Sequence, residues 1–451
     1  MMKMFAIMAL CLITIDAQAQ APQGRQLTLD EAVRIALEQN VNLKQAANDV
    51  ESAENSVFSA YGSYVPQPYA YGSFSRSGIS SPPTFRDFQG IPTLTPRTEL
   101  YYNTYQTGFG LRYTLFDGFN REANMSSALT RESQAEYQYE RTRQLTAFSV
   151  QNTYLNVLRN EQLVKVAEEN LKRDRRQLER ITESNRVGAS SIADVYRQQS
   201  IVATDEVNLI GAQNTYDKSK ADLLNLLALD PGTNYLVADP GIDQQIKQGG
   251  TGSAPLPAEP YSELLRRALD SRRDYLSTKS NLDLAENGVT QAWSPYYPSV
   301  SVSGGFSTNA QELVPATSWG NRASNVGLSL SWQLPELFGS ITRIQNAKVA
   351  ERNADLSVEQ KQRDVAVELK KALLDLEAAE RQKDATQKAL LSAEQDRRVA
   401  EERYNLGAGT LLDLYIANAN YVNAQANNVN ANYNNIIARR NLDYTIGDRA
   451  Y

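Results

Sequence analysis

Two aspartates, Asp194 and Asp413, each follow a glycine-bearing turn and stand three residues after a hydroxyl side chain, in Ser191-x-x-Asp194 and Thr410-x-x-Asp413. A hydroxyl and a carboxylate at that spacing could take part in acid–base chemistry. They could equally cap a helix, with Asp in the place of the capping-box Glu. Chemistry would need further partners. The chain has 0 His, and its 1 Cys, Cys11, lies in a leader expected to be removed. That excludes Ser-His-Asp and Cys-His mechanisms, structural zinc built on those ligands, and disulfides. What remains is an enzyme of paired carboxylates, of the glycoside hydrolase kind. The 52 Asp and Glu residues fall almost entirely on helical faces, with no compact domain to enclose a site. The sequence therefore predicts no catalytic residue, no cofactor and no metal, and leaves the aspartates a capping role.

The wider composition closes other classes. Among 451 residues, 46 basic against 52 acidic side chains give a net charge of -6 and no electrostatic reason for a nucleic-acid partner. A mean hydropathy of -0.48 excludes a bundle of membrane helices. Residues 1–19 read as a signal peptide: Lys3, the apolar run Met4 to Ile15, and the small-x-small site Ala17-Gln18-Ala19. A lipoprotein start at Cys11 would place the bulky Leu10 before the cleavage point. Beyond the leader no apolar stretch is long enough to span a bilayer as a helix, so any insertion must use strands.

The elements that carry the two aspartates are long helices. No proline occurs between Pro96 and Pro231, nor after Pro335. Within the first gap apolar residues recur at helical spacing, from Leu145 and Phe148 through Leu171 to Ile181, as a narrow stripe suited to coiled-coil packing. Each gap is interrupted once, at Arg186-Val187-Gly188-Ala189-Ser190-Ser191 and at Asn405-Leu406-Gly407-Ala408-Gly409-Thr410. Glycine stops one helix and Ser or Thr starts the next, so each gap is a helical hairpin whose first arm runs roughly 100 Å. The charged run Lys172-Arg173-Asp174-Arg175-Arg176 reads as a solvated helix face, and the Asn-rich stretch from Ile416 to Ile437 as helix.

The hairpins belong to an internal duplication. At one fixed offset Glu31 meets Glu263, Ala36-Leu37 meets Ala268-Leu269, Ala53-Glu54-Asn55 meets Ala285-Glu286-Asn287, and Tyr64 and Pro66 meet Tyr296 and Pro298. Further on, Gly188 and Asp194 meet Gly407 and Asp413 at a second shift, of 219 residues. The expected organisation is a signal peptide over 1–19, a first repeat over 20–230, a Pro/Gly-rich linker over 231–260, and a second repeat over 261–451. Each repeat reads helix, strand pair, helical hairpin, with strands near 66–75 and 104–116, then 298–307 and 325–334. The loops Ser75 to Thr104 and Ser307 to Ser324 would join each pair.

In Tyr105 to Leu115 the odd positions are mostly apolar and the even ones small or polar; in Val326 to Leu334 the even positions are apolar. An ordinary half-buried sheet shows the same alternation. Aromatics near the strand ends, Tyr64, Tyr101, Tyr102, Phe116 and Phe119, then Trp293, Tyr296, Tyr297 and Phe338, favour a membrane barrel with interfacial girdles. Four strands cannot close a barrel, and open edges are not tolerated in lipid. Three chains would give twelve strands and an aqueous lumen, whereas two would give eight strands with a filled interior. The fold class is therefore mostly α with membrane β, a homotrimer of duplicated strand pairs and hairpins.

The chain resembles the TolC-like outer-membrane efflux proteins. The residues that carry the likeness are Leu27-Thr28-Leu29-Asp30-Glu31-Ala32, Tyr64-Val65-Pro66 and Leu115-Phe116-Asp117-Gly118-Phe119. The hairpin tips, Val187-Gly188-(x5)-Asp194-Val195 and Tyr404-Asn405-Leu406-Gly407-(x5)-Asp413-Leu414, are the most specific. The resemblance implies a trimeric conduit in the bacterial outer membrane: a twelve-stranded barrel continued by an α-helical barrel into the periplasm. It implies as partners a periplasmic adaptor docked on the tips and an inner-membrane pump or ABC transporter. It maps Val187, Gly188, Asp194, Tyr404, Leu406, Gly407 and Asp413 to the periplasmic entrance. Some members carry an arginine in the second tip; here Gly407-Ala408-Gly409-Thr410 has none, and Arg186 and Arg403 flank the tips. The competing reading is an exported coiled-coil adaptor or scaffold, which the alternating strands speak against.

Overall fold

The computed structural model describes residues 25–88, 91–233, 235–242, 259–313, 320, 322–332 and 337–448. The leader and most of the linker over 231–260 lie outside them. In chain order the first half holds β1 (Arg25–Leu27), α1 (Leu29–Gln39), α2 (Val41–Gly62), β2 (Gln67–Ser81), β3 (Thr84–Phe88), β4 (Ile91–Thr95), β5 (Thr98–Phe116), α3 (Asn120–Arg186), α4 (Ile192–Leu226) and β6 (Tyr235–Val237). The second half holds α5 (Tyr261–Ser271), α6 (Arg273–Trp293), β7 (Ser299–Ala310), β8 (Arg322–Ser331), α7 (Leu337–Asn405) and α8 (Leu411–Ile446). No helix among the described residues is long and apolar enough to cross a membrane.

The chain forms two compact units. One is built from the described residues within Met1–Glu38, Val150–Ser253 and Thr386–Tyr433, the other from Gln39–Ser149, Ala254–Ala385 and Asn434–Tyr451.

In the second unit β2, β5, β7 and β8 form one antiparallel sheet in that order, leaving β2 and β8 as edges. The register sorts the side chains cleanly. Phe74, Ala70, Tyr105, Phe109, Leu111, Val302, Phe306, Val326, Leu328 and Leu330 share one face, and Phe109 meets Phe306 at 5.5 Å. The other face carries Ser73, Gln106, Gly108, Gly110, Ser301, Ser303, Gly305, Gly327 and Ser329. There Tyr71 lies across Gly108, where an added Cβ would stand 2.6 Å from the ring. The strands outrun the expected bounds: the β2–β5 ladder continues to Ser81 and Thr98, and β3–β4 is a further hairpin where a loop was expected. The Ser and Gly residues that dominate Ser75 to Ser81 show no alternation of hydropathy, yet backbone pairing alone keeps them extended. At the other end the register of β5 against β7 shifts between Thr114 and Phe116. The buried Arg121 at the start of α3 donates to the carbonyls of Thr114 (2.7 Å) and Leu115 (3.4 Å) and lies 4.6 Å over the Tyr64 ring.

The helix expected at the head of each repeat is two helices, broken at equivalent positions, Asn40 and Arg272. Asn40 caps α2, its Oδ1 accepting from Leu43 N at 3.2 Å. Arg272 (φ -70, ψ 115) is buried; its guanidinium donates to Asp274 (3.0 and 2.7 Å), to Glu368 (2.6 Å) and to the Thr445 carbonyl (3.4 Å), while Lys361 pairs with Asp274 at 2.7 Å. Around it Leu264, Leu369, Ala372, Leu376, Leu442 and Ile446 form a core.

In the first unit β1 and β6 pair in parallel, bringing the segment after the leader to the start of the linker. Tyr154 donates to the Leu27 carbonyl at 2.8 Å, and Asp239 accepts from Leu29 N at 3.4 Å. The duplication shows in burial: Ala36 and its repeat equivalent Ala268 are both 0% exposed.

Candidate functional site

The hairpin tips are built from local rules. At the end of α3 the amide of Ala189 donates to Ser184 O (2.8 Å) and that of Gly188 to Asn185 O (2.9 Å); at the end of α7 Ala408 donates to Arg403 O (2.8 Å) and Gly407 to Tyr404 O (3.1 Å). This is the Schellman pattern, and it places Gly188 at φ 78 and Gly407 at φ 72, where a Cβ is disfavoured. A Cβ at either position would meet nothing within 4 Å, so conformation and not space selects glycine.

The two caps differ. At the second tip Thr410 N and Oγ1 both donate to Asp413 Oδ2 (3.0 and 2.7 Å) while Asp413 N donates to Thr410 Oγ1 (3.2 Å), a complete reciprocal box. Hydrogen bonds from the Thr410 backbone, then its hydroxyl, hold the Asp413 carboxyl below the ordinary range. At the first tip Ser191 Oγ accepts only from Ala193 N (3.2 Å), and Asp194 turns to Arg197 at 3.5 Å. The expected box is half formed there, because an arginine one turn along competes for the carboxylate.

Tyr404 is brought beside Asp194. It packs on the cluster of Ile181, Val195, Leu411 and Leu178, which joins both hairpins, and burial, with the Asp194 charge adding, pushes its hydroxyl pKa up. Val187 and Leu406, the residues before the glycines, are 69% and 83% exposed, two apolar side chains presented to solvent at the tips. Neither arginine flanking the tips reaches across: Arg186 pairs with Glu183 (2.9 Å), and Arg403 donates to Ala408 O (3.4 Å) within its own turn. An ion pair that does link α3 to α7 is Arg180 with Glu401, at 3.9 Å.

A buried polar group behind the tips was missed in the sequence. Asp174 is 6% exposed, in a run expected to be solvated, and Gln198 Nε2 of α4 donates to its carbonyl (3.2 Å) and to Oδ1 (3.3 Å). Beside it Asp205 Oδ2 is buried with no hydrogen-bond partner. Burial, then the neighbouring Asp174, pushes the Asp205 pKa up to about 7. The only signal was position: Asp174 falls on the same helical face as Leu171, Leu178 and Ile181.

The aromatics gather at the two ends of β5. Phe116, Phe119 and Tyr297 form an edge-to-face trio (5.3, 6.4 and 5.8 Å), and Trp293 meets Tyr296 at 5.3 Å. Tyr64 lies under Arg121, and Phe338 is 84% exposed. Tyr101 and Tyr102, at the far end, pair with Gly78 and Ser77. Phe119, like the glycines, has a positive φ, 67.

Comparison with known proteins agrees with this geometry. The sequence model of the outer membrane efflux protein family matches residues 32–229 and 264–448, one stretch in each half. Protein CyaE of Bordetella pertussis is 23% identical over 316 residues; the match covers 70% of this chain and 65% of CyaE, just under two thirds of that relative's length. Outer membrane protein TolC of Escherichia coli is 22% identical over 425 residues, covering 90% of this chain and 80% of TolC. The crystal structure of the Campylobacter jejuni CmeC outer membrane channel superposes with a TM-score of 0.76 at 19% identity, covering 93% of this chain and 85% of CmeC, which shows a shared fold. Duplicated hairpins, a sheet with one apolar face, and a family match to both halves together place the chain in the outer membrane efflux protein family.

Proposed function

We propose that this outer-membrane efflux protein acts as a homotrimeric exit duct, carrying substrates handed over by an inner-membrane pump or ABC transporter and a periplasmic adaptor. It has no catalytic step. The observation that carries the reading is the sheet, with one face apolar and exposed, the other carrying mainly Ser and Gly with Tyr69, Tyr71, Gln106 and Arg112, and both edges unpaired by other described strands. Leu328 and Leu330 are 70% and 68% exposed, which suits lipid and not water. From Leu115 to Tyr105 the apolar face runs about 33 Å along β5; tilted by about 40° it is about 25 Å tall, the height of a barrel's apolar band. Phe116, Phe119, Trp293, Tyr296 and Tyr297 would mark one interface, Tyr101 and Tyr102 the other. Exposed Val187 and Leu406, on turns fixed by Gly188 and Gly407, offer the adaptor its docking points, with Asp194, Tyr404 and Asp413 at the entrance. The two repeats, 20–230 and 261–451, would be joined by the 231–260 linker after removal of residues 1–19.

The duplication specifies how the copies join. If the seam between chains repeats the β5–β7 seam, the pair Phe109–Phe306 becomes Leu328 with Phe74 of the next copy, and Gly110–Gly305 becomes Ser329 with Ser73. The mature chain would carry no cysteine, so a Ser73→Cys/Ser329→Cys variant gives a clean test. Oxidation in outer membranes is expected to yield a covalent trimer on denaturing gels, with neither single variant doing so. Linear dimers alone, or no product, would contradict the closed ring.

A further inference from the structure

About two turns and more from the tips, α3, α7 and α8 line a half-open cavity of about 480 Å³ within the first unit. Its wall holds five cationic side chains, Lys172, Arg173, Arg176, Arg180 and Arg397, against Glu169, Asp174 and Glu401. Leu414 is the one apolar lining residue, so the wall does not suit an acyl chain or an aromatic cargo.

The arginines are held unusually. Arg173 of α3 and Arg397 of α7 lie against the same ring, Tyr421 of α8, at 5.6 and 5.2 Å, so two like charges are seated together. The Nε of each is buried and has no hydrogen-bond acceptor. Burial pushes the Arg173 guanidinium pKa down, and the charge of Arg397 adds to the shift. The carboxylates present do not fill this need. Glu401 takes Nη1 of Arg397 at 2.9 Å and stands 3.9 Å from Arg180, while Glu169 stays 4.0 Å from Arg173. Asp174 is turned to Gln198. Lys172 and Arg176 form no ion pair among the described residues; Arg176 Nε donates to the Lys172 carbonyl at 3.3 Å.

The geometry points to a binding site for a small multivalent oxyanion of the phosphate class, held between Arg173 and Arg397 with Lys172 and Arg176 at its mouth. Guanidinium forks match tetrahedral oxyanions, and a dianion between two neighbouring guanidinia relieves their repulsion while supplying acceptors to both. Because Arg173 and Arg397 come from different hairpins, the bound anion would staple the two hairpins together behind their tips. The site stands on its own side chains and does not depend on what the conduit carries.

The test uses the full detergent-solubilised assembly. Inorganic phosphate is titrated by calorimetry at constant ionic strength, with chloride as the exchanged anion. Saturable binding with millimolar half-saturation is expected, at least tenfold weaker in Arg173→Gln and in Arg397→Gln, and unchanged in Arg175→Gln, whose partner is the exposed Glu206. Absent binding, or binding that the two variants leave intact, would overturn the site. Should the variants fail to assemble, crystals of the unaltered protein soaked in tungstate decide: an anomalous peak between Arg173 and Arg397 supports the site. A peak elsewhere only, or a carboxylate of a second copy occupying that position, overturns it.

Discussion

The Asp174–Asp205 pair sets a pH dependence whose sign follows from its surroundings. With a pKa of about 7 in the folded protein, against an ordinary value of 3.8, Asp205 keeps a proton that the unfolded chain gives up near pH 4. The folded state therefore binds more protons between those values, so its stability is greatest below about pH 4, falls as pH rises towards 7, and is level above. Taken in full, a shift of that size is worth about 4 kcal/mol. The cavity lined by Asp174 admits solvent beside the pair, and about half, ~2 kcal/mol, is the expected effect. Asp205→Asn keeps the shape and removes the titration. Local opening of α3 against α4 is read by amide hydrogen exchange of the segment around Gln198 to Asp205, corrected for intrinsic rates. At pH 8 the variant is expected to be about 30-fold better protected than the unaltered protein, and at pH 3 about equal. Equal protection at both pH values, or weaker protection of the variant at pH 8, would refute the reasoning.

Further outcomes follow from the same physics. Arg272→Met leaves Asp274, in the strand-bearing unit, with Lys361 as its remaining ion-pair partner and is expected to cost about 2 kcal/mol, measured by the loss of exchange protection in α5 and α6. Burial pushes the Asp274 carboxyl up, but the Arg272 and Lys361 donors outweigh it and hold the carboxyl well below the ordinary range. The stability it confers is present above its unfolded pKa and lost as pH falls through its folded one; in the variant that acid loss begins at a higher pH. At the tips, Thr410→Ala removes the two hydroxyl bonds of a capping box, leaving only the backbone amide bond to Asp413, and is expected to cost about 1 kcal/mol in the first turn of α8. Ser191→Ala, which removes one bond, should unprotect α4 less; the reverse order would contradict the asymmetry of the two caps.

How far the sequence could be read depended on whether the governing interactions were local. Gly188 and Gly407 marked the tips because a left-handed stop is a property of four or five residues. The duplication was legible because Asn and Pro recur at one offset before the hairpins, and the tip Gly and Asp at a second. The strand faces were legible where lipid-type alternation runs, from Tyr105 to Leu115, and were lost from Ser75 to Ser81, where small polar residues stay extended through backbone pairing alone. The breaks at Asn40 and Arg272 interrupt stripes that are helical on both sides, and the second is fixed by Glu368 and Thr445, far away in sequence. Asp174 looked solvated in a charged run; that Gln198 and Asp205 bury it is a fact of the α3–α4 seam. The difference between the two caps rests on Arg197, a competitor that the Ser-x-x-Asp pattern does not contain.

The measurement that bears most directly on the conduit is the mass of the detergent-solubilised protein from washed outer membranes, by light scattering corrected for bound detergent. Three chains per particle, retained in the membrane through salt and alkaline washes, is the predicted result. A single chain released without detergent would contradict the closed barrel and would leave the apolar face of β8 without a reason to exist.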